Sequence, residues 1–161
     1  IRFGVLRYFN AAGYDIKGRI KGRERNVLNL IPIAMEVAAG IREKMQVFGD
    51  NYDTHDGTGV RDYIHVSDLA IAHRKALNYI SENDKDLLVN LATGEGHSVL
   101  DVINKSKEVS GRDIPFDIVG RRAGDPATVV AVSNRANKVL DWSTKYSDLD
   151  TLIRTAWDVY K

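Results

Sequence analysis

Apolar and polar positions along the chain change period several times, and each change marks an element. Arg2 to Phe9 is largely apolar, with charges only at Arg2 and Arg7. Such a run resembles a strand covered on both faces, which belongs to a larger sheet and predicts that these residues are part of a bigger protein. It ends at Asn10-Ala11-Ala12-Gly13, read as a turn. A basic, glycine-bearing segment follows from Lys17 to Arg25, polar enough to be a mobile loop. Asn29 is placed to cap a helix, and Pro32 is tolerated in its first turn because amides there have no intrahelical acceptor. Leu30, Ile31, Ala34, Val37, Ala38 and Ile41 recur at helical spacing as a buried stripe, with Gly40 near the end. MQVFG at 45–49 is a short strand, and a long polar connection leads to a second one in DYIHV.

The pattern continues with a helix from Ser67, with Leu69, Ala72, Ala76, Leu77 and Ile80 on one side. LLVNLAT at 87–93 is a continuous apolar strand. Its GEGH turn leads to Ser98, predicted to cap a helix through Val99, Leu100 and Ile103 that Gly111 closes. IPFDIV at 114–119 and TVVAV at 128–132 read as strands flanking the turn RRAGDP, and a short helix starts near Ser133. Ser147 or Asp148 caps a last helix with Leu149, Leu152, Ile153, Ala156, Trp157 and Tyr160 at three-and-four spacing. Helices and strands alternating in this way predict α/β or α+β architecture.

Composition narrows the function classes. The 161 residues are 43% hydrophobic and 28% charged, the profile of a folded domain. A net charge of +1 gives no case for a nucleic-acid or membrane partner. The chain lacks cysteine, which excludes disulfides and thiolate metal sites. No apolar run approaches the length of a membrane span, and the first residues do not read as a signal peptide, so a cytoplasmic location is expected.

Candidate chemistry concentrates in GDNYDTHDGTGVRDYIHV, residues 49–66. Its aspartates and His55 do not match the spacing of a calcium loop, and the four histidines form no zinc signature, so no metal is expected. Arg61, Arg121 and Arg122 offer planar forks of donors suited to phosphate oxygens, although Arg61 could instead pair with Asp62 or Asp125. Neither common nucleotide fingerprint, GxGxxG or GxxxxGK[ST], is present. Ser98 with Asp101 reads as a cap, and His65 between Ile64 and Val66 as a structural histidine.

Several segments together carry a resemblance: LRYFNAAG at 6–13, NLIP at 29–32, MQVFGDNYDTHDGTGVRDYIHVSDLAIAH at 45–73, NLATGEGHSVLDVI at 90–103 and RRAGDP at 121–126. In this order and spacing they resemble the C-terminal half of the UDP-glucose 4-epimerases, members of the extended short-chain dehydrogenase/reductase superfamily. The resemblance implies the C-terminal part of an NAD-binding Rossmann-like fold with its smaller mixed α/β substrate-binding domain. Residues 1–161 would be the substrate-binding portion, with residual cofactor-domain strands near 1–10 and 45–93. The implied activity is inversion of C4 of UDP-glucose or UDP-galactose through a 4-keto intermediate, with NAD bound mainly by an N-terminal half.

Carried onto matching positions, the resemblance places Tyr8 and Ala11 near NAD. Asn10, Asn29, Phe48, Arg61, Arg121 and Asp125 fall on the UDP-sugar, Arg121 being favoured over Arg122 as the second diphosphate clamp. Val129 falls at the sugar's 2-position, where a small residue implies tolerance of N-acetylated sugars. The family's Tyr-x-x-x-Lys pair is absent, so the chain alone is expected to be inactive, and the full-length protein is expected to be a homodimer. Alternatives are a noncatalytic UDP-sugar binding module, or an epimerase for UDP-N-acetylhexosamines or UDP-pentoses.

Overall fold

Two buried clusters, rather than one, organise the chain, and a single strand lies between them. The computed structural model describes residues 1–161. The first cluster joins helix α1 (Leu30–Ala38), α3 (Val99–Ser110) and α5 (Leu149–Tyr160) to strand β3 (Met45–Phe48). The second joins α2 (Val66–Asn83), α4 (Asn134–Leu140) and β6 (Leu87–Asn90). Successive side chains of a strand point to opposite faces. In β5 (Tyr63–His65), Tyr63 accordingly belongs to the first cluster and Ile64 to the second.

The strands form small pieces of sheet. Strand β1 (Gly4–Arg7) pairs in parallel with β6, and β2 (Asn10–Ala12) in parallel with β5. Strand β3 pairs in parallel with β8 (Phe116–Val119). The central β4 (Val60–Arg61) lies antiparallel to β7 (His97–Ser98) and parallel to β9 (Thr128–Val129). The Asn10–Gly13 segment is therefore not a turn as a whole. The chain breaks at Tyr8 and Phe9 and resumes as β2, since Ala12 finds a place in the first core that a turn would leave empty.

Helix boundaries follow the capping residues. Ser98 and Asp101 form a capping box at the start of α3, each side chain accepting the other's backbone N–H, and Gly111 ends the helix. Asp148, not Ser147, caps α5. Three expectations fail, two because an element ends sooner than its apolar pattern and one, Leu77, because it faces away from the core within α2. Ile41 lies past the end of α1 and is exposed, Leu77 points to solvent from α2 at 68% exposure, and of 128–132 only Thr128 and Val129 are strand. Met35, which the stripe reading passed over, is completely buried. Strand β6 alternates rather than being covered throughout, with Leu87 and Val89 buried and Leu88 exposed.

Candidate functional site

The loop from Gly49 to Gly59 holds itself together with its own polar groups. Tyr52 N–H donates to the Gly57 carbonyl at 2.8 Å, and Asp56 accepts from both the amide and the hydroxyl of Thr58 at 2.8 Å. Ser98 donates a further bond to Asp56, tying the loop to the α3 cap. These bonds hold the Asp56 carboxyl below the usual carboxylate range despite the opposing effect of burial. Gly57 sits at φ +81°, and a Cβ there would collide with the Asp50 carbonyl. Ligand atoms of His55, Asp56 and Asp101 lie within 4.8 Å of one another. The oxygens of both carboxylates are already engaged in holding the loop and the cap.

The loop delivers Arg61 to a cleft of about 220 Å³. Its guanidinium is mostly covered. Nη1 donates to the Val60 carbonyl at 2.7 Å and to the Ala127 carbonyl at 3.4 Å, while Nη2 pairs with Asp125. Asp62, the other candidate partner, instead accepts from Thr93 and Gly94 and fixes the turn after β6. A guanidinium has five N–H donors. Three are committed here, leaving Nε–H and one Nη2–H without a partner and able to bind a phosphate oxygen.

Other elements complete the walls. Asn29 precedes α1 with extended geometry, but its side chain makes no cap bond, so its amide is free toward the cleft it lines. Asn10 also lines the cleft and donates to the Asp62 carbonyl at 2.9 Å. Strand alternation puts Gln46 and Phe48 on the side away from buried Met45 and Val47, and both reach the cleft. The Arg122 guanidinium lies 3.9 Å from the centre of the Phe48 ring, in cation–π geometry. A neighbouring cavity of about 470 Å³ shares Leu28, Gln46, Phe48 and Arg122 with the cleft.

Of the residues assigned to the site from sequence, Asn10, Asn29, Phe48, Arg61 and Asp125 line this one cleft, and the rest lie elsewhere. Arg121 is the chief correction. It stacks 3.9 Å over the ring of Tyr52 and donates to the Asn51 carbonyl, packing the loop's outside, and does not line the cleft. Its neighbour Arg122 lines the cleft instead, because adjacent side chains in an extended segment diverge and the stack on Phe48 selects one of them. Val129 lies on β9 in register with Arg61 but is not part of the cleft wall.

Tyr8 sits at the end of β1, edge-on to His73 at 6.2 Å, and Ala11 lines a separate cavity of about 440 Å³ beside the 14–25 segment. Gln46, Gly59 and Leu28 were not assigned to the site from sequence, although the period-two pattern of β3 already put Gln46 beside Phe48. His65 is structural as expected: completely buried, its Nδ1 accepts from Ser67 N–H at 3.0 Å, and Nε2 lies 3.1 Å from Thr155 Oγ1. No helix is long and apolar enough to cross a membrane.

Comparison with known proteins gives the arrangement a context. The profile of the GDP-mannose 4,6 dehydratase family matches residues 4–156. A UDP-glucose 4-epimerase from Halalkalibacterium halodurans is 44% identical over 161 residues, all of this chain but 48% of its own length. A crystal structure of UDP-glucose-4-epimerase from Stenotrophomonas maltophila, with bound NAD and formylated UDP-arabinopyranose, superposes with a TM-score of 0.93 at 42% identity. That match covers 99% of this chain and 48% of the crystallised one. The UDP-Glc/GlcNAc 4-epimerase from Campylobacter jejuni gives 0.81 at 40% identity, covering 99% and 48%. The chain thus spans about half the length of the curated relatives it matches.

Proposed function

Because the chain belongs to the GDP-mannose 4,6 dehydratase family, and within the extended short-chain dehydrogenase/reductase superfamily is homologous to part of the UDP-glucose 4-epimerases, we propose that it is the C-terminal, substrate-binding half of an NAD-dependent UDP-glucose/UDP-galactose 4-epimerase. The single observation that carries this reading is the convergence of Arg61, Asp125 and Arg122 on one cleft beside Asn29 and Phe48. In this reading the unpartnered N–H donors of Arg61 and the guanidinium of Arg122 grip the diphosphate. Asp125 accepts from ribose hydroxyls, and the Gln46–Phe48 edge receives uracil. Asn10 and Asn29 supply amides toward the phosphate–sugar end.

Arg61 needs little reorganisation to do this, because Asp125 and two carbonyls already hold its plane. Binding energy then comes from the nucleotide, which does not change in the reaction. Such a grip is indifferent to the configuration at C4 and leaves the hexose free to turn over. For NAD the chain's own residues carry neither of the family's motifs. They include no glycine-rich strand–helix turn and no tyrosine with lysine four positions later. Tyr8 and Ala11 at most border the cofactor, which in this reading is held mainly by residues outside these 161 and supplies the hydride chemistry. The full-length protein is proposed to be a homodimer.

A second reading, an epimerase that also takes UDP-N-acetylhexosamines, is favoured by the likeness to the Campylobacter jejuni enzyme. The position of Val129 off the cleft wall takes weight from the idea that this residue sets the choice. Turnover of UDP-glucose against UDP-N-acetylglucosamine by the full-length protein separates the two.

The main test is calorimetry with UDP. Arg61→Ala and Arg122→Ala are each expected to weaken binding by about 2–3 kcal/mol, as for a lost charge-assisted bond, while Arg121→Ala changes affinity less than about twofold. Absence of UDP binding, or a larger loss at Arg121 than at Arg122, would overturn the reading.

A further inference from the structure

Between Lys17 and Arg25 every second residue is a cation: Lys17, Arg19, Lys21, Arg23 and Arg25, against the one carboxylate of Glu24. The whole chain carries only +1, so the rest of it is net acidic and the positive charge is concentrated here. The segment has neither helix nor strand, and residues 17–25 are all exposed. Both of its ends are tied down. Asp15 accepts from the Arg19 amide at 3.0 Å and from its guanidinium at 2.8 and 2.7 Å, and the Glu24 amide donates to the Tyr14 hydroxyl at 3.2 Å. Of the five cations only Arg19 has a carboxylate within ion-pair distance. Lys17, Lys21, Arg23 and Arg25 form no ion pair, although many of the chain's other cations do.

The C-terminal end of this strap approaches the cleft. Arg23 and Glu24 line the 440 Å³ cavity, which meets the cleft at Asn29. Arg25 is three residues from Leu28, on the cleft wall, so their Cα atoms are within roughly 11 Å. That is close to the screening length of about 10 Å at 0.1 M salt and far inside the 30 Å at 0.01 M. The cleft itself exerts a weak field at a distance. Arg61 is neutralised by Asp125, which leaves Arg122 as its uncompensated cation. A nucleoside diphosphate ester, with one negative charge on each phosphate, meets four unpaired cations on the strap against one in the cleft.

We propose that the 17–25 strap is an electrostatic capture surface for the diphosphate of a nucleotide ligand, raising its rate of entry into the cleft. It rests on the reading of the cleft as a UDP site. Clustered charge of one sign at the mouth of a site raises the association rate by up to a few orders of magnitude and is strongly salt-dependent. The strap has the features this requires: four cations that are unpaired and exposed, with Arg23 and Arg25 toward the cleft and Lys21 on a separate cavity farther along the same segment.

Stopped-flow fluorescence of the full-length protein with a methylanthraniloyl derivative of UDP tests it, with the same derivative of uridine as a ligand without phosphate. The variant carries Lys17→Gln, Lys21→Gln, Arg23→Gln and Arg25→Gln, and a second variant changes only Lys17→Gln and Lys21→Gln. At 10 mM salt the fourfold variant is expected to associate with the UDP derivative about tenfold more slowly and the double variant by an intermediate factor. The dissociation rate should change less, and the gap should close to within about twofold at 0.5 M. Uridine entry should not respond. Equal association rates of variant and parent at 10 mM, or an equal slowing for uridine, would overturn the proposal while leaving the cleft assignment intact. Failure of the parent protein to bind the UDP derivative would instead sink the cleft assignment and the strap with it.

Discussion

His65 shows how one buried nitrogen can set a stability limit. Its Nδ1 is an acceptor for the Ser67 amide, so it must be unprotonated, and Nε2–H can donate to Thr155. Burial lowers its pKa, and the nearby carboxylates of Asp68, Asp148 and Asp15 only partly oppose this. The folded state thus binds fewer protons at this site than the unfolded chain, whose histidine titrates near 6.5. Its contribution is fully present above that value and is lost as pH falls below it. Asp56 and Asp148, held below their ordinary range, add a second loss as pH drops through the carboxylate region. The urea midpoint is expected to be level from pH 7.5 to 7 and to fall between pH 6.5 and 5. His65→Gln should flatten that part of the profile, and an unchanged slope would contradict the account. The histidine's structural role was legible from its apolar neighbours Ile64 and Val66, whereas its partner Thr155 lies ninety residues away and was not.

Among the elements, the 49–59 loop shows most clearly why polar sequence need not mean loose structure. One aspartate serves the loop: Asp56 closes the turn at Thr58 and reaches the α3 cap, so that the segment positions Arg61. Gly57 is the residue this closure cannot exchange, since both its φ and its approach to the Asp50 carbonyl exclude a side chain. Gly57→Ala is expected to cost at least about 2 kcal/mol in urea unfolding, from left-handed strain plus displacement of the loop. It should also weaken UDP binding, because Arg61 follows the loop. A variant with parental stability and affinity would show that the closure is dispensable. The helix caps at Ser98 and Gly111 were readable because their signals lie within a few residues. The break between β1 and β2 was not, since it depends on two different pairing strands.

At the scale of the whole molecule, the β1–β6 pair carries an apolar face that nothing in these 161 residues covers. Phe3 is 57% exposed, Phe9 53% and Leu88 47%, with Val5 beside them. A contiguous patch of this kind is a contact surface or a liability for association. The sequence expectation of a strand covered on both faces is not met within these residues, since β1 is exposed at three of its four positions. Prepared alone, the 161-residue chain is expected to self-associate in sedimentation velocity. Val5→Lys with Leu88→Lys should shift it toward monomer, and a parent chain that is already monomeric at tens of micromolar would refute this.

What the sequence determined by itself was local or carried by contiguous motifs. It specified the alternation of helices and strands, the caps at Ser98 and Gly111 and a structural His65, and its motifs singled out Asn10, Asn29, Phe48, Arg61 and Asp125, which line one cleft. The tertiary structure alone decided between Arg121 and Arg122. Both are exposed arginines in the same extended turn, and only the placement of Tyr52 and Phe48 sends one outward and the other into the cleft. It also decided that Arg61 pairs with Asp125 rather than Asp62, and that Arg23 of the basic strap lines the cavity sharing Asn29 with the cleft. Such choices depend on which distant surfaces meet, and periodicity along a chain carries no record of them.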